Sequence, residues 1–118
     1  MTAFILALAC GVCLQDKVAA TYDYAIVTRA VAQHRVVVFA EPRAAVEAGQ
    51  LQKALTTAAA RVPGVDAATV RTNASPASLS FALDPKRTEP RQALAAIRKA
   101  SGVPGLEIDL LEVVATLR

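Results

Sequence analysis

The sequence predicts an α+β domain, a four-stranded antiparallel sheet with two helices on one face, preceded by an extra N-terminal helix. Three observations carry that expectation. From Val36 onward, segments with apolar residues at alternate positions interleave with segments whose apolar residues recur every three or four. Pro-Gly, Asn-Ala-Ser-Pro, Asp-Pro and Gly mark the changes of period at residues 63–64, 73–76, 84–85 and 102. Ahead of Val36, residues 16–33 contain neither Gly nor Pro.

In chain order, residues 3–9 (AFILALA) come first, a short apolar run ending in the A-x-A pattern of a signal-peptidase site just before Cys10. No Lys or Arg precedes the run, and a bilayer span needs about 20 residues. The expectation is a truncated export signal over residues 1–9. The plain alternative is a buried strand or helix start. A second segment, residues 10–34, holds Cys10-Gly11-Val12-Cys13 and the predicted helix. In that helix Val18, Tyr22, Ile26 and Ala30 recur every four residues, while Ala20, Tyr24, Val27 and Val31 lie on its other side. Asp16 suits the first turn, where the helix dipole favours negative charge. His34-Arg35 breaks the pattern.

Residues 35–118 form the domain. Val36-Val37-Val38-Phe39-Ala40 is the β-branched run of a central strand. Residues 41–50 read as a loop entering a helix that carries Leu51, Leu55, Ala58 and Val62, with Pro63-Gly64 ending it. Ala68, Val70 and Thr72 alternate in a second strand. Leu79, Phe81 and Leu83 alternate with Ser78, Ser80 and Ala82 in a third, a hairpin with one dry and one wet face. Thr88 is the expected cap of a helix carrying Leu94 and Ile97, which Gly102 stops. Leu106, Ile108 and Leu110 alternate with Glu107 and Asp109 in the last strand. The order β-α-β-β-α-β is that of a ferredoxin-like sandwich.

Within this frame, Leu55 to Val70 (LTTAAARVPGVDAATV), Phe81-Ala82-Leu83-Asp84-Pro85 and Ile97-Arg98-Lys99-Ala100-Ser101-Gly102 resemble the heavy-metal-associated domain family of small copper and mercury carriers. The likeness covers residues 36–110. It implies a βαββαβ fold and a C-x-x-C between first strand and first helix. Here residues 41–50 (EPRAAVEAGQ) hold no Cys, His or Met, so the scaffold resemblance transfers no binding site. Residues 10–32 also resemble the leader of small exported bacterial proteins that carry a C-x-x-C just after the signal.

The chemistry therefore falls to Cys10 and Cys13. Two thiolates at this spacing suit Cu(I), with Zn or another soft ion next, and a helix starting near Cys13 favours the thiolate. The rival is a thiol-disulfide redox pair, although no thioredoxin pattern follows. The bland readings are a structural disulfide or thiols inside an uncleaved signal. Acylation of Cys10 after Ala7-Leu8-Ala9 is a further alternative, and it would remove one ligand. Leu14 stands where a c-type haem site requires His. His34, the sole histidine, follows some 18 helical residues, about 27 Å, so a solvent-exposed turn residue is its expected role. Asp23, Tyr22 and Tyr24 are explained by amphipathic packing.

Thirteen Lys and Arg among ten acids give a net charge of +3. The densest basic stretch, Arg87, Arg91, Arg98 and Lys99, has no interleaved aromatic and reads as a solvated helix face, which argues against nucleic acid. No triad, carboxylate pair or phosphate loop supports an enzyme. The expectation is an exported, periplasmic soft-metal carrier, a metallochaperone passing copper to a metal-transport or metalloprotein partner. A lipid-anchored or cytoplasmic location is the alternative. A redox protein or a non-metal scaffold domain is the rival function.

The N-terminal helix has two arrangements open to it. It folds back on the sheet, or it projects from the domain or pairs with a second chain as a homo-oligomer. The sheet face away from the domain helices carries Thr69, Arg71, Ser78, Ser80, Glu107 and Asp109, polar ground on which only Val37 or Phe39 offers a dry patch.

Overall fold

Asp23 splits the expected N-terminal helix in two. In the computed structural model, which describes residues 14–117, helix α1 spans Leu14–Ala19 and helix α2 spans Tyr24–Ala32. Asp23 lies in extended conformation between them. Its carboxylate accepts from the N–H groups of Ala25 (2.9 Å) and Ile26 (3.2 Å). An aspartate that satisfies the orphan donors of a new helix competes with continuation of the old one. At the other end of α2, His34 adopts φ 60°. Its N–H donates to Val31 O (3.1 Å), and that of Arg35 to Ala30 O (2.8 Å). This paired closure requires a left-handed residue, usually Gly. His34 is thus the exposed turn residue expected of it, and the chain reverses there into strand β1, Val36–Arg43.

Beyond β1 follow α3 (Ala48–Ala60), a 3-10 turn (Ala67–Thr69), β2 (Arg71–Asn73), β3 (Ser78–Leu83), α4 (Pro90–Ser101) and β4 (Glu107–Val114). The result is an α+β fold with one four-stranded antiparallel sheet in the order β2-β3-β1-β4. Central β1 pairs with β3 from Val36↔Leu83 to Ala40↔Leu79 and with β4 from Val37↔Val114 to Arg43↔Glu107. On one face α3 and α4 bring Leu51, Leu55, Leu94 and Ile97 against Val36, Val38, Leu79, Phe81 and Leu83.

Several boundaries differ from the sequence reading. The second strand begins at Arg71, because Asp66 caps Ala68 N–H (3.2 Å) and curls residues 67–69 into the 3-10 turn. Glu89, not Thr88, caps α4. It forms a reciprocal box with Gln92 around Pro90, while the Thr88 hydroxyl donates to Pro63 O. Gly102 does end that helix, at φ 70°. The expected loop over 41–50 shrinks to residues 44–47, since Glu41, Pro42 and Arg43 extend β1 and Glu47 caps α3. The last strand runs on past Leu110 through a bulge.

The largest correction concerns the sheet face expected to be wet. All six residues of β3 are buried. Helices cover both faces of the sheet, not one: α2 sets Val27 and Ala30 on Val37, Phe39 and Ala82, with Val18, Ile26, Val31, Leu111 and Val114 at the margin. Ser78 and Ser80 do not oppose this docking. Their hydroxyls donate to Lys17 O (2.8 Å) and Thr21 O (3.4 Å). Lys17 O lies in the last turn of α1, where backbone carbonyls lack intrahelical donors, and Thr21 O lies just past that helix. The described arm is thus folded onto its own sheet and does not project from it. Among the described residues, no helix is long and apolar enough to cross a membrane.

Candidate functional site

Cys10 and Cys13 lie outside the described residues. The structure does define where the arm that follows them is held. α1 buries no residue of its own. It is fixed by the serine contacts and by Lys17, whose Nζ meets Glu41 Oε1 at 3.0 Å with side chains 24% and 20% exposed. Just beyond α1, the Tyr22 ring stacks on Phe39 with centroids 6.2 Å apart and planes 11° apart. Lys17 therefore sits at the end of β1 from which the loop 44–47 departs.

A chain of charges continues from that contact. Arg43, alternating with Glu41 on β1, donates to Asp109 and to Glu107 Oε1 (2.8 Å) on β4 and lies 3.9 Å from Glu41. The hydrogen bond to Asp109, then that to Glu107, pushes the Arg43 pKa above its ordinary value. Glu107 and Asp109, two apart on a strand, share a face, and their cross-strand neighbours are Arg43 and Glu41. Sequence spacing placed Glu107 and Asp109 at alternate positions of the last strand. It did not show the arginine, 64 and 66 residues away.

The carboxylates around the loop are already engaged. Glu41 holds Lys17. Glu47 accepts the N–H groups of Gly49 (3.0 Å) and Gln50 (2.9 Å), which lower its pKa. Among the described residues no group of three His, Cys, Asp or Glu is disposed to hold a metal ion. His34 is distant from this end: Val36 to Glu41 alone spans about 17 Å of strand. Asp23 serves as a helix cap, and Tyr24 is exposed.

Two concave surfaces flank β4. One lies between α4 and β4, lined by Arg91, Leu94, Arg98 and Ile108, with a volume of about 470 Å³. The other, about 270 Å³, lies on the opposite face and is lined by Tyr22, Tyr24, Val27 and Val114. No protein-family model matches this chain, and no curated protein matches it either.

Proposed function

We propose that this protein is a soft-metal carrier, with Cu(I) as the preferred cargo, held by Cys10 and Cys13 on a ferredoxin-like βαββαβ frame. The observation that supports it is the Lys17–Glu41 contact (3.0 Å). It ties the arm downstream of the C-x-x-C to the mouth of the β1–α3 loop. In the carriers this chain resembles, that loop holds the ion. Lys17 is four positions after Cys13, a reach of about 14 Å at most. In this reading the thiolate pair has moved along the sequence while staying at the same end of the sheet. Two thiolates satisfy one Cu(I), and the ion passes to a metal-transport or metalloprotein partner by ligand exchange. Export to the periplasm, through the apolar run at residues 3–9, belongs to the same reading.

The test is a Cu(I) titration of the reduced full chain against a chromogenic competitor. One ion per chain is expected, with tight binding lost in Cys10→Ser and in Cys13→Ser and kept in His34→Ala. Unchanged affinity in the double cysteine variant would end the metal reading. A reversible disulfide with no Cu(I) uptake would favour the redox alternative.

A further inference from the structure

The two edges of the sheet are unlike. β2 is three residues long, and the Arg71 side chain bends back onto Ala68 O (3.1 Å) and Val70 O (3.0 Å). β4 is eight residues long and, among the described residues, is paired on one side only, with β1. A long open edge presents alternate N–H and C=O groups ready to pair with another chain. Beside it runs the groove of about 470 Å³ between α4 and β4, with Leu94, Ala95, Ile108 and Leu110 along it.

Charge selects what fits. Glu107 and Asp109 line this groove, but both are bonded by Arg43. Arg91 and Arg98, exposed on α4, have no ion-pair partner among the described residues. Seven residues apart on a helix, they lie about 10 Å apart along its axis. Same-face side chains of a strand repeat every ~7 Å. Carboxylates at alternate or next-alternate positions of an added strand therefore reach both.

We infer that β4 takes up an extended, acidic segment of a partner protein. The added strand pairs with the open edge and turns its carboxylates to Arg91 and Arg98. A second copy of this chain is the poorer occupant. Antiparallel pairing of two β4 strands about a two-fold axis sets the two α4 helices side by side, arginines against arginines. The segment's acids must lie on one face only, because its other face meets the side of β4 that carries Glu107 and Asp109.

The test uses the full chain carrying Cys10→Ser and Cys13→Ser, so that its outcome is independent of metal. The probe is a fluorescein-labelled peptide of repeated Glu-Val, read by anisotropy at low salt. It is expected to bind, while repeated Lys-Val does not. R91E/R98E should weaken binding by about tenfold or more. N-methylation of alternate peptide nitrogens, which removes the ladder donors on one side, should abolish it. Both arginines are exposed, so folding should survive; if circular dichroism shows otherwise, R91Q/R98Q replaces the reversal. No binding of Glu-Val, equal binding to the charge variant, or equal binding of the N-methylated peptide each overturns the proposal.

Discussion

The two faces of this sheet are covered in different ways. On the first, α3 and α4 build a large apolar cluster around Leu55, Phe81, Leu94 and Ile97. On the second, α1 and α2 contribute only Val27 and Ala30 as buried apolar residues. Half-buried Val18, Ile26 and Val31 and the Tyr22–Phe39 stack add apolar contact at the margin, and two serine hydroxyls and one ion pair supply the polar attachment. That layer also leaves Thr21 Oγ1 and Thr28 Oγ1 buried without a hydrogen-bond partner among the described residues. The difference separates a folding core from a docked arm. Burying apolar area stabilises both, but the second cluster is the smaller, and the polar contacts added to it contribute modestly because each replaces a bond to water.

The sharpest way to break that comparison is to truncate a phenylalanine on each face. Phe81→Ala should cost about 3–5 kcal/mol, read by chemical denaturation. Phe39→Ala should cost less, because the arm can settle or lift away and relieve the cavity, although both rings are almost fully buried. Equal costs would mean that the arm is as rigid as the core. A second, smaller effect sharpens the same point. Thr28→Val removes an unsatisfied hydroxyl at nearly constant shape and should stabilise the protein by about 1 kcal/mol; an unchanged or lowered melting temperature would show that the hydroxyl has found a partner.

The smallest effect is on the first face, at the start of α3. Glu47 has a carboxyl pKa below its ordinary value of 4.5, held there by the Gly49 and Gln50 N–H groups. A carboxyl depressed on folding contributes stability that is fully present above its unfolded pKa. That contribution is lost as pH falls below about 4.5 through the lowered folded value. Glu47→Gln should flatten the acid limb of a stability-against-pH curve in that window and leave its neutral part nearly parallel. An identical acid slope in both proteins would remove Glu47 from the account.

Much of the first face is written locally. Leu51, Leu55 and Ala58 recur at helical spacing, Val36 to Ala40 form one apolar run opened by three β-branched valines, and Gly102 terminates a helix. The second face is not, for two physical reasons. Ser78 and Ser80 look solvated until a helix arrives from some sixty residues upstream with bare carbonyls to receive them. The Asp23 cap was present in the letters, but an apolar period of four on either side of it hid the break. The charge chain through Arg43 escaped for the same reason as the serines, since a cross-strand partner leaves no trace in spacing. The cysteines were visible as a motif from the outset, and their chemistry rests on the titration proposed above.

The bulge in β4 bears on how the chain can vary in length. Leu110 faces Ala40 and Glu112 faces Phe39, so Leu111 is supernumerary in its ladder. Deleting it would leave every neighbouring pair in phase and forfeit only its own contact with the arm. One residue removed from the interior of β1 or β3 would instead turn everything beyond it inside out. Tolerance to a single-residue deletion is therefore concentrated at one point of the sheet, on the strand that pairs only with β1 among the described residues.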